Sequence, residues 1–339
     1  MKNRKVLALL IALLMVVVVF AGCAPKEQPQ QPAQPAENKI KVAAIYATPI
    51  EEPWDGAIHH ALLKAKDELG IDYEWTENVG YSDFERVLRE YADKGYNVIF
   101  GDAFGSEDAV RRVAKDYPDI AFVFGSGEGP SDPNLSVFDD WIQEPAYVCG
   151  MIAGKITKSN IIGVVGGVPV PEVNRIVNAF IAGAKETNPD VKVKVAFIGS
   201  WFDPPKAKEA ALAQIEQGAD VLYAERYGVI DACKEKGVYA FGSLLDQHSL
   251  APDYVISGPV WDMYPTVKYV IESVKNGSYT AQDLKDWSMM GKGGAKLAPF
   301  HEFEDKLPKD VIDMVNKRVE EIKSGKFRVP INEATPKSD

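Results

Sequence analysis

Short apolar segments alternate with longer amphipathic segments from residue 41 to residue 275 of the chain. The short segments, for example 41–47 and 97–101, are mostly continuous apolar runs, which is typical of parallel strands that helices cover on both faces. The longer segments repeat their apolar residues at helical spacing. A loop rich in Gly, Pro, Ser and Asp at 126–133 interrupts the series, and the alternation then restarts. The pattern predicts an α/β fold with two doubly wound parallel-sheet lobes.

The predicted elements fall into two series of similar size. The first has strands at 41–47, 71–77, 97–101 and 120–125 and helices at 54–69, 82–94 and 106–116. The second has strands at 161–166, 191–198, 220–223, 238–241 and 254–257 and helices at 144–157, 173–187, 205–217 and 227–236. A strand at 135–138 and helices at 263–276 and 309–324 complete the prediction. Ser82 and Glu85 have the spacing of a capping box at the start of the second helix.

Aromatic residues follow the predicted strands. In open parallel sheets, ligands bind at the carboxyl ends of the strands, so the loops after the strands are the expected site. Trp54, Phe104, Trp201, Phe202 and Tyr227 lie in or near these loops, and Trp261 lies near a predicted lobe crossover. Any one of them also suits core packing. Several at one edge favour a flat ligand, since stacking contributes about 1–3 kcal/mol per base.

Polar side chains accompany the aromatic residues. They are Asp55, Glu77, Asn78, Asp102, Glu172, Asp203 and Asp246. A carboxylate accepts hydrogen bonds from ring N–H and amine groups, and Asn both donates and accepts. Other interpretations stay open, because Asp203 also suits a helix N-cap and Glu172 suits the helix dipole alone. Arg226 could pair with a buried carboxylate instead of a ligand.

Composition narrows the class of protein. The 339 residues exceed the usual size of a single core, and 46% hydrophobic and 26% charged residues are ordinary for a globular protein. A net charge of −11 without a Lys/Arg cluster argues against nucleic acid as a partner. Cys149 and Cys233 are expected to be buried free thiols.

Catalytic motifs are missing from the sequence. It contains no metal-ligand spacing, no Gly-x-Ser-x-Gly motif and no phosphate-binding loop. We therefore expect a binding protein that needs neither cofactor nor metal, with a nucleosidase or deaminase as the alternative enzyme class.

The N-terminal sequence predicts export. Three basic residues precede an apolar run at 6–20, and a small pair, Cys23 and a Gln/Pro-rich stretch follow. This order predicts a signal peptide at 1–22. The small pair before Cys23 is similar to a bacterial lipobox, which implies cleavage there and lipid on the Cys23 thiol; cleavage without lipid is the alternative. Residues 23–38 are then an extended linker that holds an extracytoplasmic body at the membrane.

Several segments together resemble one known family. They are GGVPVPEV at 166–173, GSWFDP at 199–204, DQ at 246–247, LAP at 250–252 and KLAPF at 296–300. From these, residues 40–300 are identified as resembling the basic membrane protein (BMP) family of bacterial lipoproteins. The resemblance implies a type I periplasmic-binding fold with a hinge and an interlobe cleft. It also implies ABC-transporter substrate binding, mostly of purine nucleosides, with a membrane permease as partner.

The resemblance also implies lobe boundaries and stacking positions. The N-terminal lobe is expected at 39–142 plus about 260–284, and the C-terminal lobe at 143–259 plus about 285–330, in a monomer. Trp54 and Trp201 occupy the two positions that stack on the base, and Asp55 a neighbouring polar position. The candidate ligand-binding residues are Trp54, Asp55, Glu77, Asn78, Phe104, Glu172, Trp201, Phe202, Arg226, Asp246 and Trp261.

Two departures from the family pattern affect the expected ligand. Leu244 stands where nucleoside-binding members usually have Asp, and 256–261 lacks the Lys that helps to hold the ribose. Loss of these polar partners, with Trp261 nearby, predicts a smaller and drier pocket. We expect a free purine base such as adenine, with a purine nucleoside, another flat ligand or a receptor-linked sensing role as alternatives.

Overall fold

Two parallel five-stranded sheets organise residues 39–339, the part of the chain that this computed structural model describes. The first sheet contains β1 (Lys41–Ile45), β2 (Asp72–Thr76), β3 (Val98–Asp102), β4 (Ala121–Gly125) and β5 (Leu135–Phe138). The second contains β6 (Ile161–Gly166), β7 (Lys192–Phe197), β8 (Val221–Ala224), β9 (Tyr239–Phe241) and β10 (Val255–Ser257). The spatial orders are β2-β1-β3-β4-β5 and β10-β9-β8-β6-β7. We call the parts built on these sheets the first and the second lobe.

Helices connect the strands and cover both sheets. Those that follow strands of the first lobe are α1 (Pro53–Leu69), α2 (Tyr81–Asp93), α3 (Glu107–Asp116) and α4 (Gln143–Ile156). Those of the second lobe are α5 (Pro171–Thr187), α6 (Pro204–Glu216) and α7 (Val229–Lys236). Two further helices, α8 (Tyr264–Lys275) and α9 (Lys309–Lys323), follow the second sheet. Four 3₁₀ segments lie at His248–Leu250, Lys285–Ser288, Met290–Lys292 and His301–Phe303.

The topology confirms the predicted fold class. The strand order reverses at β1 in the first sheet and at β6 in the second, as in doubly wound folds. After the second sheet is complete, α8 returns to pack on α1, whereas α9 packs on α4. The chain therefore passes between the lobes several times, although the lobe boundaries given above stay a prediction.

Burial on both faces explains the continuous apolar strands. Along β1, Val42 and Ala44 join one apolar core, and Ala43 and Ile45 join a separate core with residues of α2 and α3. Each face of a central parallel strand meets helices, so every position is apolar rather than every second one.

The helices α4 and α5 approach each other very closely. A Cβ atom on Gly183 would lie 1.9 Å from the Tyr147 carbonyl oxygen, and one on Gly150 would lie 2.0 Å from the Phe180 carbonyl oxygen. Only glycine permits backbone contact of this kind. This packing fixes α5, whose first turn carries Glu172.

Some local predictions were confirmed and others were wrong. Asp203 is the N-cap of α6, since its Oδ1 accepts from the Lys206 amide at 3.1 Å, and Cys149 and Cys233 are buried free thiols. The capping box was wrong, because α2 begins at Tyr81 without a side-chain cap. Glu85 instead forms ion pairs with arginines of α2 and α3.

The sequence pattern also missed a short antiparallel ribbon. Its strands are β11 (Pro259–Trp261) and β12 (Ala295–Leu297). Each strand has only three residues, and more than 30 residues separate the two strands in the chain, so the sequence carries no periodic signal for them.

The N-terminal predictions cannot be placed in this structure. The signal peptide at 1–22, Cys23 and the linker at 23–38 lie outside the described residues. Within 39–339, no helix combines the length and the apolar character that a membrane crossing requires.

Candidate functional site

A cleft of about 470 Å³, counting its mouth, lies at the carboxyl ends of strands from both sheets. The first lobe lines it with Ala47, Thr48, Glu52, Trp54, Asp55, Tyr81, Asp102, Phe104 and Ser126, and the second lobe with Glu172, Trp201 and Arg226.

Trp54 enters the cleft from the first turn of α1. Its ring stacks on Phe138, with ring centroids 5.7 Å apart, and tilts against Trp261 at 5.2 Å. A Cβ atom on Gly125 would lie 2.0 Å from the Trp54 ring, so glycine at the end of β4 is needed to accommodate it. The indole is therefore held firmly from behind by the core.

Trp201 enters from the loop after β7. Phe104 of the first lobe meets it edge to face, with ring centroids 5.2 Å apart and planes at 86°. The guanidinium carbon of Arg226 lies 5.1 Å from the Trp201 ring centroid. The contact between Phe104 and Trp201 shows that the two lobes touch at the cleft.

A buried ion network crosses the cleft beside these rings. Arg226 Nη1 donates to Glu52 Oε1 of the first lobe at 2.6 Å, and Nη2 donates to Glu225 Oε1 at 2.6 Å. All three side chains are less than 5% exposed. Burial raises the pKa of Glu52 and of Glu225, and Arg226 opposes that rise.

Three further carboxyl groups line the cleft. Burial raises the pKa of Asp102 to about 7, although the amide of Phe104 donates to its Oδ1 at 2.9 Å. Burial, aided by the charge of Asp139, raises the pKa of Glu172 to about 8. Burial and the nearby Glu52 raise the pKa of Asp55 well above its ordinary value. Near neutral pH these groups can therefore donate a hydrogen bond as well as accept one.

A second acidic cluster lies behind Glu172. Carboxylate oxygens of Asp139, Asp140 and Glu172 come within 4.8 Å of one another. The buried guanidinium of Arg175 forms an ion pair with Asp139 at 2.7 Å and donates to Asp140 at 3.4 Å. Arg175 thus already supplies the positive charge that a metal ion would bring to this cluster.

Six of the candidate residues come together in the cleft lining. They are Trp54, Asp55, Phe104, Glu172, Trp201 and Arg226. Their roles as ligand contacts stay predictions, but the structure does place them around one space.

The other five candidates lie outside the lining. Glu77 accepts from the Ile50 amide at 2.9 Å and so supports the loop before α1, and Asn78 occupies a left-handed turn position with φ of 57°. Phe202 is 39% exposed. Asp246 pairs with His301 Nε2 at 2.8 Å. Trp261 packs behind Trp54 and donates to Ser288 Oγ at 2.9 Å.

Glu52 is the main residue that the sequence pattern missed. Its Oε2 accepts from the amides of Trp54 and Asp55, so Glu52 is the N-cap of α1. Its position just before Pro53 was a usable signal, because proline favours the first helical position. Its pairing with Arg226, 174 residues away, carries no sequence signal.

A two-lobed α/β fold with a cleft between the lobes is the architecture of solute-binding proteins. Residues 39–331 match the Bmp family, described as "ABC transporter substrate-binding protein PnrA-like". The chain belongs to this family. The substrate-binding proteins of the family are extracytoplasmic transport components, not enzymes, which confirms the expectation of a binding protein. Such proteins deliver small molecules to a permease.

Curated relatives agree with this assignment. A purine-binding protein of Brucella abortus is 35% identical over 298 residues, covering 86% of this chain and 83% of the relative. A Haloferax volcanii protein, provisionally described as an ABC transporter glucose-binding protein, is 34% identical, covering 85% and 73%. The nucleoside-binding protein BmpA of Lactococcus lactis is 26% identical, covering 97% and 99%.

Solved structures share the fold. A solute-binding protein from Conexibacter woesei superposes with a TM-score of 0.71 at 24% identity and covers 86% of this chain and 99% of its own. One from Aeropyrum pernix reaches a TM-score of 0.74 at 19% identity, covering 86% and 94%. The predicted type I periplasmic-binding fold is confirmed.

The raised pKa of Asp102 makes the stability of the unliganded protein depend on pH. The folded protein keeps this proton up to about pH 7, whereas an unfolded Asp loses it near pH 4. The free energy of unfolding therefore falls as the pH rises between these values. Asp102→Asn removes this penalty, so we expect its Tm to exceed the wild-type Tm by about 2–5 °C at pH 8 and by much less at pH 5. Calorimetry at both pH values measures this.

Asp67→Asn is the matched control, because Asp67 is exposed on α1. Its effect on Tm should be small at both pH values. An Asp102→Asn effect of equal size at pH 5 and pH 8 would contradict a protonated Asp102 in the folded protein.

Proposed function

We propose that this protein captures a purine, with a free base such as adenine favoured, and closes on it by stacking between Trp54 and Trp201. The observation that carries the proposal is that these two indoles, one from each lobe, line the same cleft. A ligand in contact with both lobes stabilises the closed form relative to the open one. Two stacking faces contribute much of the roughly 8 kcal/mol that micromolar binding requires.

The acidic lining suits the edge of a purine. Asp55, Asp102 and Glu172 surround the space between the rings. An ionised carboxylate accepts from an exocyclic amine or a ring N–H, and a protonated one donates to a ring nitrogen. A purine edge presents donors and acceptors side by side, so a cleft with both forms of carboxyl group matches it.

The segment at 242–261, where the family pattern places contacts to the ribose, favours a base over a nucleoside as the ligand. Leu244 is buried at 2% exposure, and no described residue from 242 to 261 belongs to the cleft lining. Asp246, an acid of that segment, pairs with His301. A ribose hydroxyl without a partner costs about 1–3 kcal/mol, so the lack of polar lining from this segment favours a free base.

The relatives support a purine and supply the competing ligands. The Brucella relative is named for purine binding and the Lactococcus relative for nucleoside binding. A purine nucleoside is therefore the second candidate. Glucose is also tested, because the Haloferax relative is described as a glucose-binding protein and has nearly the same sequence identity to this chain as the Brucella relative.

We also propose the lobe division at 39–142 plus about 260–284 and 143–259 plus about 285–330. The protein acts as a monomer that hands its ligand to an ABC permease. A sensor that presents the ligand to a receptor is the alternative role, and neighbouring genes for a permease and an ATPase would distinguish the two.

Titration calorimetry with adenine, guanine, adenosine, guanosine and glucose tests the ligand. We expect adenine to bind at least tenfold more tightly than adenosine, because Leu244 and the missing Lys in 256–261 remove the polar partners that hold the ribose in nucleoside-binding members of the family. Tighter binding of the nucleosides would refute the base preference, and binding of glucose alone would refute a purine ligand.

Trp201→Ala tests the stacking. We expect at least a tenfold loss of adenine affinity, which corresponds to one lost stacking face. Phe202→Ala is the matched control, because the neighbouring Phe202 lies outside the cleft lining, and it should bind adenine like the wild type. Equal affinity of the Trp201→Ala variant and the wild type would contradict the site.

We propose further that the chain is anchored to the membrane by lipid on Cys23. Cells fed a labelled fatty acid should yield labelled protein, and Cys23→Ala should yield none, because the thiol is the acceptor. A labelled Cys23→Ala variant, or an unlabelled wild type, would contradict the anchor.

A further inference from the structure

The guanidinium of Arg226 is almost fully used by the protein itself. It has five N–H donors. It makes four hydrogen bonds, two to Glu225, one to Glu52 and one to the Trp201 carbonyl oxygen. At most one donor is left for a ligand. Although Arg226 lines the cleft, its main partners are therefore protein groups on both sides of it.

Glu52 divides its carboxylate between two tasks. Oε2 accepts from the amides of Trp54 at 2.9 Å and Asp55 at 3.1 Å and so caps α1. Oε1 accepts from Arg226 at 2.6 Å. A single carboxylate thus connects the helix start that carries Trp54 to the second lobe.

Arg226 makes the corresponding connection to Trp201, the aromatic residue of the second lobe. Its guanidinium lies over the Trp201 ring, and Nη1 donates to the Trp201 carbonyl oxygen at 3.3 Å. Glu225, from the same lobe, holds Arg226 in a two-point contact and is itself bound by the Gly167 amide at 2.8 Å. The Arg226 side chain is therefore preset within its own lobe, and Glu52 is its hydrogen-bond partner from the other lobe.

We propose that Glu52 and Arg226 form an interlobe latch, which stabilises the closed cleft and positions the segments of Trp54 and Trp201. The proposal rests on the capture mechanism proposed above but not on the identity of the ligand. The pair spans the two lobes, so it contributes to the closed form and not to the open one. A ligand that closes the cleft therefore has less closing to drive, and apparent affinity rises with the closed fraction.

Burial strengthens the interaction between Glu52 and Arg226. Both side chains are less than 5% exposed, so the interaction is poorly screened by water and salt. If the charge of Glu52 is removed, Arg226 still pairs with Glu225, but it loses its charged partner on the other side of the cleft. The loss should appear in closure and in ligand dissociation rather than in the fold of either lobe.

Glu52→Gln is the test variant, because glutamine keeps an oxygen that can cap α1 while it removes the charge. Two measurements are made on the purified protein. Small-angle X-ray scattering without ligand should show a larger radius of gyration than for the wild type. Stopped-flow binding of adenine should show at least tenfold faster dissociation with little change in association.

Glu51→Gln is the matched control. It removes the same charge one residue earlier, from an exposed side chain, and should resemble the wild type in both measurements. Arg226→Lys is the second variant, in case Glu52→Gln does not fold as judged by circular dichroism. A lysine ammonium cannot hold both carboxylates in the fork geometry of arginine, so it should also open the cleft and speed dissociation.

The two measurements test the latch and the identity of the ligand separately. If the wild type binds none of the tested ligands, the proposed function is wrong, while scattering of the unliganded variants still tests the latch. If the folded latch variant matches Glu51→Gln in scattering and in adenine dissociation, the latch is overturned.

Discussion

The site depends on one constraint, that parallel strands all end at the same edge of their sheet. In the first sheet, Ile45 pairs with Gly101 and Asp102 pairs with Gly125, so the loops after β1, β3 and β4 begin side by side. In the second sheet, β6, β7 and β8 end together in the same way. Two such edges that face each other form a cleft, and residues far apart in the chain meet there.

Desolvation controls the charge of the acidic residues that line the cleft. Among the described residues that line it, Glu52, Asp55, Asp102 and Glu172 are acids and Arg226 is the one cation. Burial raises the pKa of all four acids, although Arg226 opposes the rise for Glu52. Protonation of Asp102 and Glu172, whose pKa values rise to about 7 and about 8, relieves part of the excess negative charge. The cleft is therefore less anionic than its composition indicates, and it is rich in groups that can donate or accept a hydrogen bond.

The candidate site was partly predictable for a specific reason. Trp54, Phe104 and Trp201 could be placed in the cleft because strand ends are readable from apolar runs, and the topology brings strand ends together. Glu77 and Asp246 follow strands in the same way, yet their side chains turn to Ile50 and His301. Position after a strand predicts proximity to the cleft, whereas the direction of a side chain depends on local packing.

The sequence by itself determined the alternation of strands and helices, the two-lobed α/β class and the loops that form the cleft. These follow from apolar periodicity and from chain connectivity, which are local or topological properties. Only the tertiary structure decided that Glu52 meets Arg226, that Trp261 supports Trp54 from behind, and that Arg175 pairs with Asp139 and Asp140. Such pairings depend on distances between groups far apart in the chain, and those distances are set only once the chain has folded.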